Sequence, residues 1–236
     1  MADRVTVDPA ARSPFGGHRQ SQTSGAGSDR MAPLPTGISV LDREFGGGIP
    51  SGSVVVLKAD PASQSELILD RFARVRECRY LTTVRSVAAV EDSLTPDGEE
   101  DETVVRDAGG DDPVATVLDA TAELPDGGTV VVDSVEPLES EDRSDYGEFL
   151  GELRRHVHEA DGLAVLHALK GDVPDRNRVV TEQVADVVFD LRTTVTGTEI
   201  ANRLIVPKFR GGAALEEPLK LKLTDSVSVD TSRDIA

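Results

Sequence analysis

The sequence predicts an α/β protein: a mainly parallel sheet covered by helices on both faces, with antiparallel strands at its C-terminal edge. Three observations predict this. Short, strongly apolar runs alternate with segments of helical period from residue 53 to residue 191, the pattern of strand–helix–strand units. After residue 187 the strand-like runs follow one another directly, as antiparallel strands do. The 236 residues suit one such domain with an added tail.

Residues 1–30 are rich in Ser, Gly, Arg, Gln and Asp, which predicts a disordered tail ahead of a domain over 31–236. Met31 offers an alternative start that would remove it. An amphipathic turn with Ile38, Leu41 and Phe45 leads into Gly46-Gly47-Gly48-Ile49-Pro50. Ser53–Leu57 reads as a buried strand. Residues 64–78 read as a helix with Ile68, Phe72 and Val75 on one face. Tyr80–Val84 is the next strand and residues 86–93 a short helix. The acidic run Asp97–Glu102 is a solvated loop. Thr103–Arg106 is a strand, 113–123 a helix, Thr129–Val132 a strongly buried strand, 145–160 a helix and Leu163–His167 a strand. Val187–Leu191, Ile200–Val206, Leu219–Leu223 and Val227–Val229 complete the sheet, with a glycine turn at Gly211-Gly212.

The formal net charge is −18, with 43 acidic against 25 basic residues, and arginine carries most of the positive charge. Aromatics are 3% and Trp is absent, so Val and Ala must fill the core. The acidity runs along the whole chain. It fits a halophilic, cytoplasmic protein whose carboxylates keep it soluble in salt, or else a charge-driven partner. One cysteine, Cys78, placed at the end of a helix, excludes an internal disulfide and a cysteine-based zinc site. No stretch approaches the roughly 20 apolar residues of a membrane span.

Within this pattern, Thr36-Gly37-Ile38-Ser39-Val40-Leu41-Asp42 followed by Gly46-Gly47-Gly48-Ile49-Pro50-Ser51-Gly52-Ser53 resembles the opening of the RecA-superfamily ATPase core in KaiC-like proteins and archaeal RadA-like paralogues. Thr129–Asp133, with Ser134 after it, resembles the Walker B strand. Ala185-Asp186 before Val187–Leu191, and Lys208-Phe209-Arg210-Gly211, resemble two later landmarks of that family. The resemblance covers about residues 34–230. It implies a RecA-like three-layer α/β/α fold, an ATP/Mg site and assembly into homo- or hetero-oligomers of RecA-like subunits.

The phosphate loop departs from that implication. A working loop needs G-x-x-x-x-G-K-[ST] between strand and helix. The slot holds Ala59-Asp60-Pro61-Ala62-Ser63-Gln64-Ser65-Glu66. Gln64 crowds the close backbone approach that glycine allows. Ser65 replaces the cation, Glu66 replaces the magnesium-binding hydroxyl, and Asp60 adds a negative charge. Like charges about 4 Å apart repel by roughly 4 kcal/mol at an effective dielectric of 20. Ser63-x-x-Glu66 instead spells a capping box, in which the helix would satisfy its own donors. The family's Glu pair after the second strand, which supplies the catalytic base, is absent: Thr82-Thr83 leads into Val84-Arg85. Glu91 and Asp92 fall on a solvated helix face.

What survives is Asp133, either a relic of magnesium binding or a polar residue kept at a strand end. Lys208 and Arg210 match residues that reach a neighbouring subunit's nucleotide in the family; here they contact a partner or pair locally. His156 and His158, two apart on a helix, point to different faces and make no metal pair. His167 stands where the family often has a polar sensor, and reads as a satisfied histidine at the edge of the core. No metal cluster and no Ser/His/Asp triad can be argued from the sequence. Lys170, Arg176 and Arg178 sit in a Gly/Pro stretch with Asp172 and Asp175, a weak candidate DNA loop with no aromatic for stacking. The leading expectation is a non-catalytic, regulatory or scaffolding pseudo-ATPase, without cofactor, that partners a catalytic paralogue. The alternatives are an ATPase with an unusual phosphate loop and a DNA-binding recombination or repair accessory protein.

Overall fold

The computed structural model describes Met1 and residues 32–94, 102–171, 176–197, 199–212 and 214–230. The expected tail, most of the acidic run at 97–102, and Asp172 and Asp175 lie outside the described residues. The chain forms β1 (Pro33–Leu34), α1 (Ser39–Glu44), β2 (Ile49–Pro50), β3 (Ser53–Ala59), α2 (Glu66–Arg74) and β4 (Cys78–Thr82). It continues with α3 (Val87–Leu94), β5 (Thr103–Asp107), α4 (Pro113–Ala122), β6 (Thr129–Asp133), α5 (Glu136–Glu139) and α6 (Arg143–Glu159). Then follow β7 (Leu163–Leu169), α7 (Arg178–Val184), β8 (Val187–Thr196), β9 (Glu199–Phe209), β10 (Leu219–Leu223) and β11 (Val227–Val229).

Nine strands make one sheet in the order β11-β10-β9-β8-β3-β7-β6-β4-β5. From β8 to β5 all neighbours are parallel. From β8 to β11 they are antiparallel. The expected mainly parallel sheet with an antiparallel C-terminal edge is therefore present.

Two apolar cores explain the continuous apolar runs of the central strands. Val54 and Val56 of β3 face one core with Val130, Val132, Leu166, Leu150 and Leu153. Val55 and Leu57 face the other with Val131, Val165, Ile68, Leu69 and Phe72. Successive side chains point to opposite faces, so a strand buried on both sides must be apolar throughout. With few aromatics to spend, the chain gathers four of its six phenylalanines on one side. Phe45 lies 6.0 Å from Phe189 and 4.7 Å from Phe209, and Phe72 lies 6.3 Å from Phe189, between ring centroids.

The opening motif works as a clasp. The Thr36 backbone N–H and hydroxyl both donate to the Asp42 carboxylate, at 2.6 and 2.8 Å, and the Ile38 N–H donates to Thr36 Oγ1 at 3.1 Å. Gly48, at φ 133°, lets β2 pass against β1; a Cβ there would sit 2.1 Å from the Leu34 carbonyl oxygen. Gly37, at φ 78°, approaches the Arg71 carbonyl of α2 equally closely. Both positions need glycine for conformation and for space.

Some local expectations are corrected. The helix expected over 64–78 spans only Glu66–Arg74, and Cys78 begins β4 rather than ending a helix. Parallel pairing of Cys78 with both Thr103 and Thr129 outweighs the helical periodicity there. The capping box does not form. Ser63 Oγ donates to the Asp60 carbonyl at 2.6 Å, closing a turn, and no side chain caps the start of α2. The short elements β1, β2, α5 and α7 carry too little periodicity to be read from sequence.

Phe189 is buried at the centre of the aromatic group. Phe189→Ala should lower stability by about 3–5 kcal/mol, measured by denaturant unfolding in high salt; a loss below about 1 kcal/mol would show that the group is not a packing centre.

Candidate functional site

The C-terminal ends of β3, β4, β6 and β7 meet at one edge of the parallel sheet, the place where open α/β sheets bind ligands. Each strand delivers one part of a buried polar network. β6 ends on Asp133, which is 7% exposed. β7 supplies His167, 5% exposed, directly opposite in register. β4 contributes Tyr80, and the turn after it contributes Arg85. The loop after β3 contributes Ser65, which is 2% exposed.

Asp133 is fully engaged. Its Oδ1 lies 2.6 Å from His167 Nδ1. Its Oδ2 accepts from the Tyr80 hydroxyl at 3.0 Å and from Arg85 Nε at 3.0 Å, with Arg85 Nη2 at 2.9 Å. Arg85 Nη2 also donates to the Tyr80 oxygen at 2.7 Å. Burial pushes the Asp133 carboxyl upward, but the hydrogen bond with His167, the charge of Arg85 and the hydrogen bond from Tyr80 outweigh it and hold it below the usual carboxylate range. Burial and the neighbouring Asp133 push the Tyr80 phenol well above its ordinary value, so it stays a donor. The far nitrogen of His167, Nε2, meets Ser65 Oγ at 3.0 Å. Ser65 Oγ also lies 3.2 Å from Ser63 Oγ. The peptide between Asp133 and Ser134 is cis.

The structure thus brings together Ser65, His167 and Asp133, a constellation that the sequence did not reveal. Ser65 and His167 are 102 positions apart, and no local motif joins them. Arg85 was legible only as a missing carboxylate; its partner is Asp133. His167 is a satisfied buried histidine, as its position suggested.

In the phosphate-loop slot, Ala59 is buried as the last residue of β3, while Pro61, Ala62 and Gln64 are exposed. Glu66 is half-buried in the first turn of α2. Asp60 has a cation nearby, with Lys170 Nζ 3.9 Å away. Lys170 is held mainly by Asp190, at 2.7 Å, and by the Leu191 carbonyl, at 2.6 Å.

The three basic residues considered for DNA do not form one exposed loop. Arg178 begins α7 and is buried. It pairs with Glu139 through Nε at 2.8 and 2.9 Å, with Glu136 through Nη2 at 2.7 Å, and with the Leu169 carbonyl. A guanidinium so enclosed is withdrawn from any phosphate. Lys170 is engaged as described, which leaves Arg176 exposed.

Lys208 and Arg210 act locally. Lys208 Nζ donates to the Glu182 and Gln183 carbonyls at 2.7 and 2.9 Å, and Arg210 donates to the Gln183 and Val184 carbonyls at 3.0 and 3.3 Å. These are the orphan carbonyls at the C-terminus of α7, where cations are favoured. Asp186 joins the same corner. It accepts from the Val54 N–H at 3.0 Å and from Arg154 at 3.0 Å. His156 is half-buried with Nδ1 3.1 Å from Thr121 Oγ1, and His158 is exposed, so the pair divides between faces. Among the described residues no cluster of three or more His, Cys, Asp or Glu gathers to hold a metal, and no helix is long and apolar enough to cross a membrane.

Beside the network, Asp70 of α2 is 5% exposed and its Oδ1 has no hydrogen-bond partner. Burial raises its pKa to about 6, against the opposing charges of Arg85 and Arg74. An acid whose folded pKa lies above its unfolded value binds protons more tightly when folded. Stability therefore falls as pH rises from about 4 to about 6, by on the order of 3 kcal/mol for this group. Asp70→Asn should raise stability at neutral pH by about 1–3 kcal/mol and flatten that slope in pH-dependent unfolding; an unchanged slope would show that Asp70 is not the titrating group.

Three comparisons place this architecture among known proteins. A KaiC-like protein of the hyperthermophilic archaeon Pyrococcus horikoshii OT3 superposes with a TM-score of 0.70 over 85% of this chain and 99% of its own, at 15% identity. That likeness shows the fold alone, which this chain shares with a KaiC-like protein. The DNA repair protein RadA of Mycobacterium tuberculosis, in strains CDC 1551 / Oshkosh and ATCC 25618 / H37Rv, is 37% identical over 124 residues, 49% of this chain. The chain spans about a quarter of the length of these curated relatives, 25%. Residues 33–236 match the profile of a family of unknown function, DUF7125, and since that match takes in nearly every described element, the chain belongs to this family, built on a RecA/KaiC-like fold.

Proposed function

We propose that the protein is a RecA/KaiC-like module that does not turn over ATP and acts as a regulatory or scaffolding subunit beside other RecA-like subunits. One observation carries the reading: Asp133, the carboxylate that resembles the magnesium-linked residue of Walker B, is paired from within by the Arg85 guanidinium and hydrogen-bonded to His167. A hydrated magnesium ion would have to displace an arginine held by two contacts to this buried carboxylate.

The residues of the slot do not fit a magnesium–triphosphate either. Gln64 stands where the backbone must approach phosphate, Ser65 supplies no cation and is turned to His167, and Glu66 brings negative charge to the helix start. Lys170 is the cation beside Asp60, and its ammonium is already shared with Asp190 and a carbonyl.

The scaffolding part of the reading rests on what was kept. The clasp at Thr36–Asp42 and the corner at Asp186 preserve the RecA-like framework while the phosphate slot has diverged. The likeness to part of a DNA repair protein directs the search for partners towards RecA-like subunits of that kind.

Calorimetric titration of the full chain with magnesium–ATP in high salt tests the reading. The expected result is no binding at millimolar ATP, a dissociation constant weaker than about 1 mM or −4 kcal/mol. Magnesium-dependent binding in the micromolar range would overturn it.

A further inference from the structure

We propose that Ser65 is an acyl-accepting nucleophile, activated by His167 and Asp133, for small carboxylic esters. This goes beyond the loss of nucleotide chemistry and does not depend on it. The contacts have the order that nucleophilic catalysis requires: a hydroxyl within hydrogen-bond reach of a base, and the base oriented by a third group. Ser65 Oγ is 3.0 Å from His167 Nε2, and His167 Nδ1 is 2.6 Å from Asp133 Oδ1. With the Nδ1 proton on the Asp133 side, Nε2 is free to accept the serine proton. Tyr80 and Arg85 occupy only Oδ2 of Asp133 and so fix the carboxylate with Oδ1 turned to the histidine.

A cleft beside it bounds the size of the substrate. A cavity of about 690 Å³ lies between the loop after β3 and the outer strands, lined by Ala62, Ser63, Gln64, Ile200, Leu221 and Leu223 among others. Its far wall mixes these aliphatic side chains and Val195 with polar Thr193, Asn202, Lys222, Thr224 and Asp230, which suits a small ester with both apolar and polar parts. Ser65 is buried, but its oxygen lies 3.2 Å from that of Ser63, a residue of the cleft wall. One hydroxyl separates the nucleophile from the cleft, and the reaction requires Ser63 to swing aside.

The step balances without any further reagent. Ser65 Oγ bonds to the acyl carbon as its proton passes to His167 Nε2. The ester C–O bond breaks and His167 returns the proton to the departing alkoxide, leaving acyl-Ser65 and an alcohol. Water then gives a proton to His167 and hydroxide to the acyl carbon, and Ser65 leaves with the proton.

The test is labelling of the full chain in high salt with an alkyl fluorophosphonate, followed by peptide mapping. The expected result is one label on Ser65 of the folded protein. Labelling should be lost in Ser65→Ala, slowed at least about 100-fold in His167→Gln, and kept or quickened in Ser63→Ala. Folding of each variant is checked by circular dichroism. Folded wild-type protein that takes no label, label on Ser63 or elsewhere, or a rate unchanged in folded His167→Gln would each overturn the proposal. Should His167→Gln not fold, the wild-type and Ser63→Ala results decide.

Discussion

The structure turns on one buried carboxylate. Asp133 sits at the end of the innermost run of apolar strands, where an unpaired charge is prohibitively costly. It is tolerated because three groups converge on it from separate parts of the chain: His167 from β7, Tyr80 from β4 and Arg85 from the turn that follows. Through His167 the same network reaches Ser65 and the start of α2. A single charge thereby ties together the loops at one edge of the sheet. The polar atoms that surround it face one another instead of an open phosphate site.

The residues that carry the family resemblance have structural work that outlives any chemistry. Thr36 and Asp42 close the first turn on itself, and Gly37 and Gly48 permit backbone contacts that a Cβ would block. Asp186 joins the start of β3 to α6 and to the end of β9 through Val54, Arg154 and the Arg210 N–H, which donates to its carbonyl at 2.8 Å. Lys208 and Arg210 close the end of α7. Each would be retained whether or not a nucleotide binds. This explains how recognisable landmarks coexist with Gln64, Ser65 and Glu66 between β3 and α2.

Much of this was legible in the sequence, for identifiable reasons. Val130–Val132 and Val54–Leu57 could only be strands buried on both faces, so the layered sheet and its antiparallel edge followed. The position of Asp133 at the end of β6 was equally plain, because it is local. What sequence could not show was pairing across distance. Arg85 reads as a lost carboxylate until its contact with Asp133, 48 positions away, is seen. Ser63 and Glu66 spell a capping box, but Ser63 is drawn to Asp60 and Ser65 to His167, so the local motif yields to tertiary contacts. Arg178 read as part of a basic loop because nothing nearby announced Glu139, with which it forms a buried pair 39 positions apart.

The most direct test of the account is a double-mutant cycle between Arg85 and Asp133. Unfolding in high salt would be measured for Arg85→Met, Asp133→Asn and the two together. If the charge of Asp133 is satisfied within the protein, each single change strands its partner and the double change costs less than the sum, with a coupling of about 1–3 kcal/mol. Additive losses would contradict the account, and would mean that Asp133 has its charge free for a ligand after all.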